Sequence, residues 1–255
     1  MNHPRASLGS DPLSVARRAK RELARLARPS KNFDASRYFR GDAHLGFYNV
    51  GTPRMRALAK SIHREHRGEW SLDDALEFAE PLIRDRYLEA KSVGIEVLAA
   101  VSQGVVSARV ADLQTMASRG PSANWATTDA ICGYLIGPVV ASNPALTKTI
   151  AGWAADRNPW VRRASAVALI PSLRGGANLD VAYEVATRLQ SDREDLIQKA
   201  VGWMLREAGK VDPQRLQRYL IESGPAIPRT TVRYAIERFA RSTRARLLEA
   251  TRNGR

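Results

Sequence analysis

Several kinds of chemistry are missing from this 255-residue chain. A single cysteine, Cys132, rules out an intramolecular disulfide, and its setting in AICGYLIG predicts a packed thiol rather than a nucleophile. There are only four histidines, His3, His44, His63 and His66, all in the first quarter of the chain. With one cysteine they cannot make a zinc constellation, and His63 and His66 on one helix read as exposed polar residues. No glycine-rich phosphate loop of P-loop or dinucleotide type is present, so no metal and no cofactor is expected. No apolar run approaches the roughly 20 residues that span a bilayer, and the N-terminus lacks the apolar core of a signal peptide. The expectation is a cytoplasmic protein in a reducing compartment, nucleoid-associated when bound to DNA, with no membrane partner.

Acidic residues are also scarce relative to basic ones. Forty Lys and Arg face twenty-six Asp and Glu, a formal net charge of +14. That balance favours a polyanionic partner through phosphate neutralisation and counterion release, with nucleic acid the first choice. A solubilising surface charge is the competing explanation. Hydrophobic residues make up 44% of the chain, enough to bury a sizeable core in one large domain or two small ones.

Runs with period-two alternation are absent, and helical periodicity runs through nearly the whole chain. The pattern predicts a basic amphipathic helix over Leu13–Ala27, preceded by a frayed start. Further helices are predicted over Pro53–His66, Leu72–Ile83, Tyr87–Val101, Val105–Ser118, Trp125–Val140, Pro144–Ala155, Pro159–Leu169, Leu179–Leu189, Asp195–Ala208, Pro213–Glu222 and Arg229–Ala240. Proline opens several of them and glycine or asparagine closes others. Short connections imply antiparallel neighbours, so the fold class is all-α.

The helix pairs recur. Aligning YLEAKS, WATTDA, WVRRAS and LIQKAV and following the interval on to Arg233 gives a column of Lys91, Thr128, Arg163, Lys199 and Arg233 at spacings of 37, 35, 36 and 34 residues. This is a two-helix repeat of the HEAT or armadillo kind, stacked as a right-handed helical solenoid. The expected layout is a basic N-terminal cap over residues 1–30 and one repeat domain over 31–255 with a basic concave face. Stacked side chains in that column would form a basic stripe suited to a phosphate backbone.

The next column reads Ser92, Asp129, Ala164, Ala200 and Tyr234, with Asp129 its only acid. A carboxylate among basic neighbours stays ionised by Coulomb attraction and weakens DNA binding, so it makes sense where something cationic must be stabilised. An ion pair with Arg163 or another basic neighbour is the ordinary alternative. Trp125 lies one helical turn before Asp129 and hence on its face. Trp125 and Trp203 stand among polar or basic positions and read as platforms, worth about 0.5–2 kcal/mol per cation contact. Trp70, Trp153 and Trp160 read as core.

The order NVGTPRMRAL, NWATTD, NPWVRRA and LIQKAVGWMLRE resembles the bacterial DNA alkylation repair glycosylases with HEAT-like repeats, from about Tyr38 to about Ala240. Its most specific parts are the Trp-x-x-x-Asp pair and the IQKAxGWxLRE string. The resemblance implies Asp129 as catalytic acid, with Trp125 and Trp203 as the two indoles lining the site. It also implies DNA contacts at Arg163, Thr52, Arg56, Arg206 and Lys199, and Tyr38 at the mouth. The implied activity is a monofunctional DNA glycosylase of the 3-methyladenine/7-methylguanine type, a hydrolase of base excision repair that works without base flipping. Its partner is double-stranded DNA containing alkylated purines, and the enzyme is expected to be a monomer. Two rivals stand beside it: a non-catalytic repeat protein that binds DNA structure through its basic face, and a protein scaffold that holds peptides in its groove.

Overall fold

The computed structural model describes residues 11–28, 39, 45–101, 110–118 and 123–252. Within them the chain is helical, with an isolated parallel bridge between Gly46 and Tyr87 and no named strand. Among the described residues no single helix is long and apolar enough to cross a membrane. The chain divides into two compact units, Met1–Leu135 and Ile136–Arg255.

The first unit is built from α1 (Pro12–Leu26), α2 (Thr52–Glu65), α3 (Leu72–Ile83), α4 (Leu88–Val101), α5 (Val110–Ser118) and α6 (Trp125–Ile131). Local sequence sets the starts. Asp11 accepts from Ser14 N at 2.8 Å ahead of Pro12, and Ser71 and Asp74 close a reciprocal capping box on α3. Helix α1 buries Val15, Ala16, Ala19 and Leu23 on one face and packs on α3, while its basic face stays in water. Helix α4 is buried along most of its length and packs against α2, α3 and α6. The chain enters the second unit within a π-helical turn, Cys132–Ile136, directly after α6.

The second unit holds α7 (Gly137–Ser142), α8 (Thr147–Gly152), α9 (Pro159–Val167), α10 (Ile170–Arg174), α11 (Leu179–Arg188), α12 (Asp195–Val211), α13 (Pro213–Ser223), α14 (Arg229–Ala235) and α15 (Arg241–Ala250). Asn158 and Asp212 cap α9 and α13 through their side chains. The repeat is visible as packing. The long α12 lies against α9 on one side and α14 on the other, and α8 packs on α11. Gly202 is what lets α12 and α14 meet, because a Cβ there would stand 2.4 Å from Tyr234 Cβ and 2.7 Å from the Thr231 carbonyl.

Most helices fall where the periodicity predicts them, with differences that have local causes. The predicted Trp125–Val140 helix is broken by the π-helical turn, and Pro144–Ala155 has 3-10 turns at both ends. The predicted Pro159–Leu169 helix ends at Val167, and the chain restarts as α10 at Ile170 with Pro171 in its first turn. Helix α14 stops at Ala235, and α15 follows where the sequence shows charge rather than apolar spacing. The predicted start of the helix ending at Ser118, over residues 105–109, and the frayed N-terminal residues lie outside the described residues.

The expected basic stripe is corrected by the structure. Lys91 is fully buried and its Nζ donates to the Ile83 carbonyl at 2.8 Å, at the end of α3. Thr128, also buried, donates through Oγ1 to the Ala117 carbonyl at 2.9 Å, at the end of α5. Arg163 is 5% exposed and its guanidinium donates to the Leu196 carbonyl in the first turn of α12. Lys199 is half-buried and pairs with Asp195, and among the five only Arg233 is exposed. Lys91, Thr128 and Arg163 thus turn toward neighbouring elements, and their polar ends meet backbone carbonyls at helix termini. The histidines differ too. His66 is buried and stacked on Trp70 at 4.3 Å, with the Glu69 carboxylate 3.7 Å from Nδ1, and neither ring nitrogen has a hydrogen-bond partner among the described residues. His63 is half-buried, and His3 and His44 lie outside the described residues. Cys132 is fully buried, as its apolar setting predicts.

Candidate functional site

The candidate residues are carried by two separate frameworks, one in each unit. In the first unit, α6 presents Trp125 and Asp129 one turn apart. Asn124 accepts from Thr127 N at 2.9 Å to start the helix, and Thr127, Thr128 and Ile131 turn inward and are buried. The Thr128 bond to α5 then fixes the roll of α6. Trp125, Ala126, Asp129 and Ala130 are left half-buried on the other side. The π-helical turn begins three residues after Asp129, a local widening that often accompanies functional positions in helices.

Trp125 also forms a wall of a cleft of about 580 Å³ lined mainly by Phe39, Phe47, Met55, Leu88 and Thr52. Phe39 stacks on the indole with centroids 5.1 Å apart and planes 15° from parallel. Phe47 tilts against Phe39 at 5.5 Å. The segment before α2 is held in place by Glu89, whose carboxylate accepts from the backbone N–H groups of Tyr48 and Asn49 at 3.0 and 2.8 Å. A bridge to the start of α4 adds to this, with Gly46 N donating to the Arg86 carbonyl at 2.7 Å. Gly46 has to be glycine, since a Cβ would meet the Tyr87 ring at 2.9 Å. Asn49 and Gly51 adopt positive φ to turn the chain into α2, which puts Thr52 at its exposed first position.

Arg56 follows one turn later and is exposed. It pairs with Glu96 at 3.3 Å and donates to the Tyr134 hydroxyl at 3.5 Å, so its guanidinium stands at the surface in a polar brace. Its pKa is raised, chiefly by the hydrogen bond to Glu96 and then by that carboxylate's charge. Tyr38 lies outside the described residues.

In the second unit, Lys199, Trp203 and Arg206 occupy positions i, i+4 and i+7 of α12 and therefore one face. All three are half-buried. Arg206 is ion-paired with Glu237, and its Nε stands 3.7 Å from the buried Glu207. Burial pushes the Glu207 carboxyl up, but hydrogen bonds from Lys210 and Arg174, and then their charges, outweigh it and hold it below its ordinary value. Arg163 reaches this helix from α9 through the Leu196 carbonyl, which makes it a clamp on the start of α12. Trp153 is buried in the core, whereas Trp70 and Trp160 are half-buried.

Comparison with known proteins assigns the chain. Residues 19–239 match the family model of the DNA alkylation repair enzymes. This protein belongs to that DNA alkylation repair enzyme family. No curated protein sequence matches it. Among solved structures it resembles one described as a predicted DNA alkylation repair enzyme from Enterococcus faecalis, with a TM-score of 0.70 and 22% identity over 81% of this chain and 93% of that one. At that identity the likeness establishes a shared all-α fold. Family membership makes the protein a DNA repair enzyme directed at alkylation damage.

Two parts of this alkylation repair enzyme's candidate site were not legible in sequence. Phe39 and Phe47 carry no motif; Phe47 lies in the 45–51 segment that folds back onto α4 and tilts against Phe39, which stacks on Trp125. Glu89, which holds that segment, looks like an ordinary first-turn acid of α4. The one available hint was the cluster of aromatic residues just ahead of Thr52.

Proposed function

We propose that this repair enzyme is a monofunctional DNA glycosylase that hydrolyses the N-glycosidic bond of purines alkylated at N3 or N7 in duplex DNA. The observation that carries the reading is the Trp125–Asp129 pair, set one turn apart on the half-buried side of a helix whose other side is anchored to α5. A purine alkylated at either nitrogen is cationic. When its bond to the anomeric carbon breaks, the electron pair neutralises the ring, so the base leaves without being protonated.

Charge then develops on the sugar, and an anion in a fixed position lowers the barrier by stabilising that cation. Asp129 is that anion. It also orients a water whose oxygen bonds to the anomeric carbon, the proton passing to the carboxylate and on to solvent. The face of Trp125 holds the deoxyribose and Thr52 and Arg56 engage phosphates beside the lesion, while in the second unit Trp203 offers a further indole face and Lys199 and Arg206 further phosphate contacts. Arg163 supports Lys199, Trp203 and Arg206 by fixing the start of α12. Lys199 is the one amine in this set and is held by Asp195, so it is assigned to phosphate rather than to a covalent Schiff base, and the product is an abasic site in an uncut strand. Because the base need not enter a pocket, the lesion stays stacked, in contrast to enzymes that extrude their target.

The test is base release from a duplex carrying one 7-methylguanine under single-turnover conditions, comparing wild type with Asp129→Asn. Loss of a preorganised electrostatic group predicts a rate lower by about 10²–10³-fold. Binding to a duplex with an abasic analogue should persist. A wild type that binds such DNA but releases neither 7-methylguanine nor 3-methyladenine would leave a non-catalytic binder of DNA structure in its place.

A further inference from the structure

Residues 229–255 contain eight arginines and two acids, Glu237 and Glu249. The family match ends at residue 239, so α15, Arg241–Ala250, lies beyond it. This helix has one buried residue, Leu247, and packs on α13. Burying one leucine contributes about 1.5–3 kcal/mol, little to set against the ordering of ten residues. Polar clamps complete the attachment. Arg229, at the start of α14, donates to the Leu248 carbonyl at 2.6 Å and reaches Thr251 Oγ1 at 3.4 Å. Thr251 is buried and donates to the Leu247 carbonyl at 2.8 Å, and Arg246 donates to Gln217 on α13.

These bonds join the last turn of α15 to the first turn of α14, and the two helices are linked at their other ends by Ile236–Ala240. They therefore run antiparallel. Arg238 stands in that link, Arg241 opens α15, and Arg244 follows one turn later. All three are exposed, and none makes an ion pair among the described residues. Like charges one helical turn apart repel, costing a few tenths of a kcal/mol per pair, so the free protein is destabilised by an arrangement that a polyanion would relieve. The guanidinium fork binds phosphate oxygens two at a time.

We propose that the α14–α15 link and the exposed face of α15 form a docking surface for the phosphodiester backbone of duplex DNA, additional to the family's site. The identity of the partner rests on the reading of this protein as an enzyme of duplex DNA. Arg238, Arg241 and Arg244 make the contacts. Arg229 and Arg246 hold the helix in position.

The test is binding of an undamaged duplex by wild type and by Arg238→Ala/Arg241→Ala/Arg244→Ala across a salt series, with thermal unfolding as a check that the variant is folded. A control, Arg67→Ala/Arg84→Ala/Arg188→Ala, removes the same charge from other exposed positions. Each lost phosphate contact lowers the slope of log affinity against log salt by about 0.9, so the triple variant should lose about 2–3 units of slope. Its single-turnover base release at saturating DNA should stay at the wild-type rate, and the control should keep the wild-type slope. Equal slopes in wild type and variant, or equal loss in variant and control, would overturn the docking surface. If the wild type releases no base while the slope still falls in the variant, the glycosylase reading fails and the docking surface stands.

Discussion

Lys91 shows how far a side chain's role depends on its neighbours. In the sequence it belongs to a basic column with Arg163, Lys199 and Arg233, which suggests phosphate binding. In the fold its ammonium group is fully buried on the Ile83 carbonyl, so it closes α3 against α4. Removing it leaves a cavity and takes the ammonium donor from the Ile83 carbonyl, which predicts that Lys91→Ala destabilises the protein by about 2–4 kcal/mol in denaturant unfolding. The salt dependence of DNA binding should not change in this variant. A lower slope with unaltered stability would restore the stripe. Asp129 and Trp125 behave in the opposite way, since their i, i+4 spacing was readable and α6 keeps both on one face. Phe39, stacked on Trp125, could not be read because the contact joins residues far apart in the chain.

At the scale of the element, periodicity located most helices because each buries one face against a neighbour, and that requirement writes itself into the spacing of apolar residues. It failed at α15, which buries a single leucine and is held by arginine clamps instead. It also missed the π-helical turn after α6, where apolar residues continue without interruption. Helix contacts make a graded prediction at two glycines of α12. A Cβ at Gly202 would stand 2.7 Å from the Thr231 carbonyl, a backbone atom that cannot move without shifting α14. Gly202→Ala should therefore cost about 2 kcal/mol or more. At Gly209 the nearest atom is the Leu216 Cδ2 methyl, at 2.3 Å, which can rotate away. Gly209→Ala gains about 0.5–1 kcal/mol of helix propensity to offset the repacking and should stay within about 1 kcal/mol of wild type. Thermal unfolding of the two variants side by side tests the ranking, and a Gly209→Ala variant that is the weaker would refute it.

For the whole molecule, a formal charge of +14 means that acids are few beside basic residues, and a buried acid can gather several cations. Glu207 is buried beneath Arg174, Arg206 and Lys210, and its carboxyl sits below its ordinary value. A carboxyl lowered in the folded state stabilises the protein above its unfolded pKa, and that contribution is lost as pH falls through the folded value. Glu207→Gln should lower Tm at neutral pH, with the gap to wild type closing below about pH 4. A gap that stays constant across that range would show the carboxylate's charge to be irrelevant.

The sequence alone determined that this protein is an all-α chain of recurring helix pairs, basic enough for a polyanion, with an indole and a carboxylate on one helical face. Those properties are local or summed over the chain, so spacing and composition carry them. Tertiary structure decided which basic residues meet solvent and which meet a carbonyl, which aromatic rings back Trp125, and that an arginine-rich helix follows α14. Each of these depends on residues brought together from distant parts of the chain, where burial and unsatisfied backbone groups set the role of a side chain.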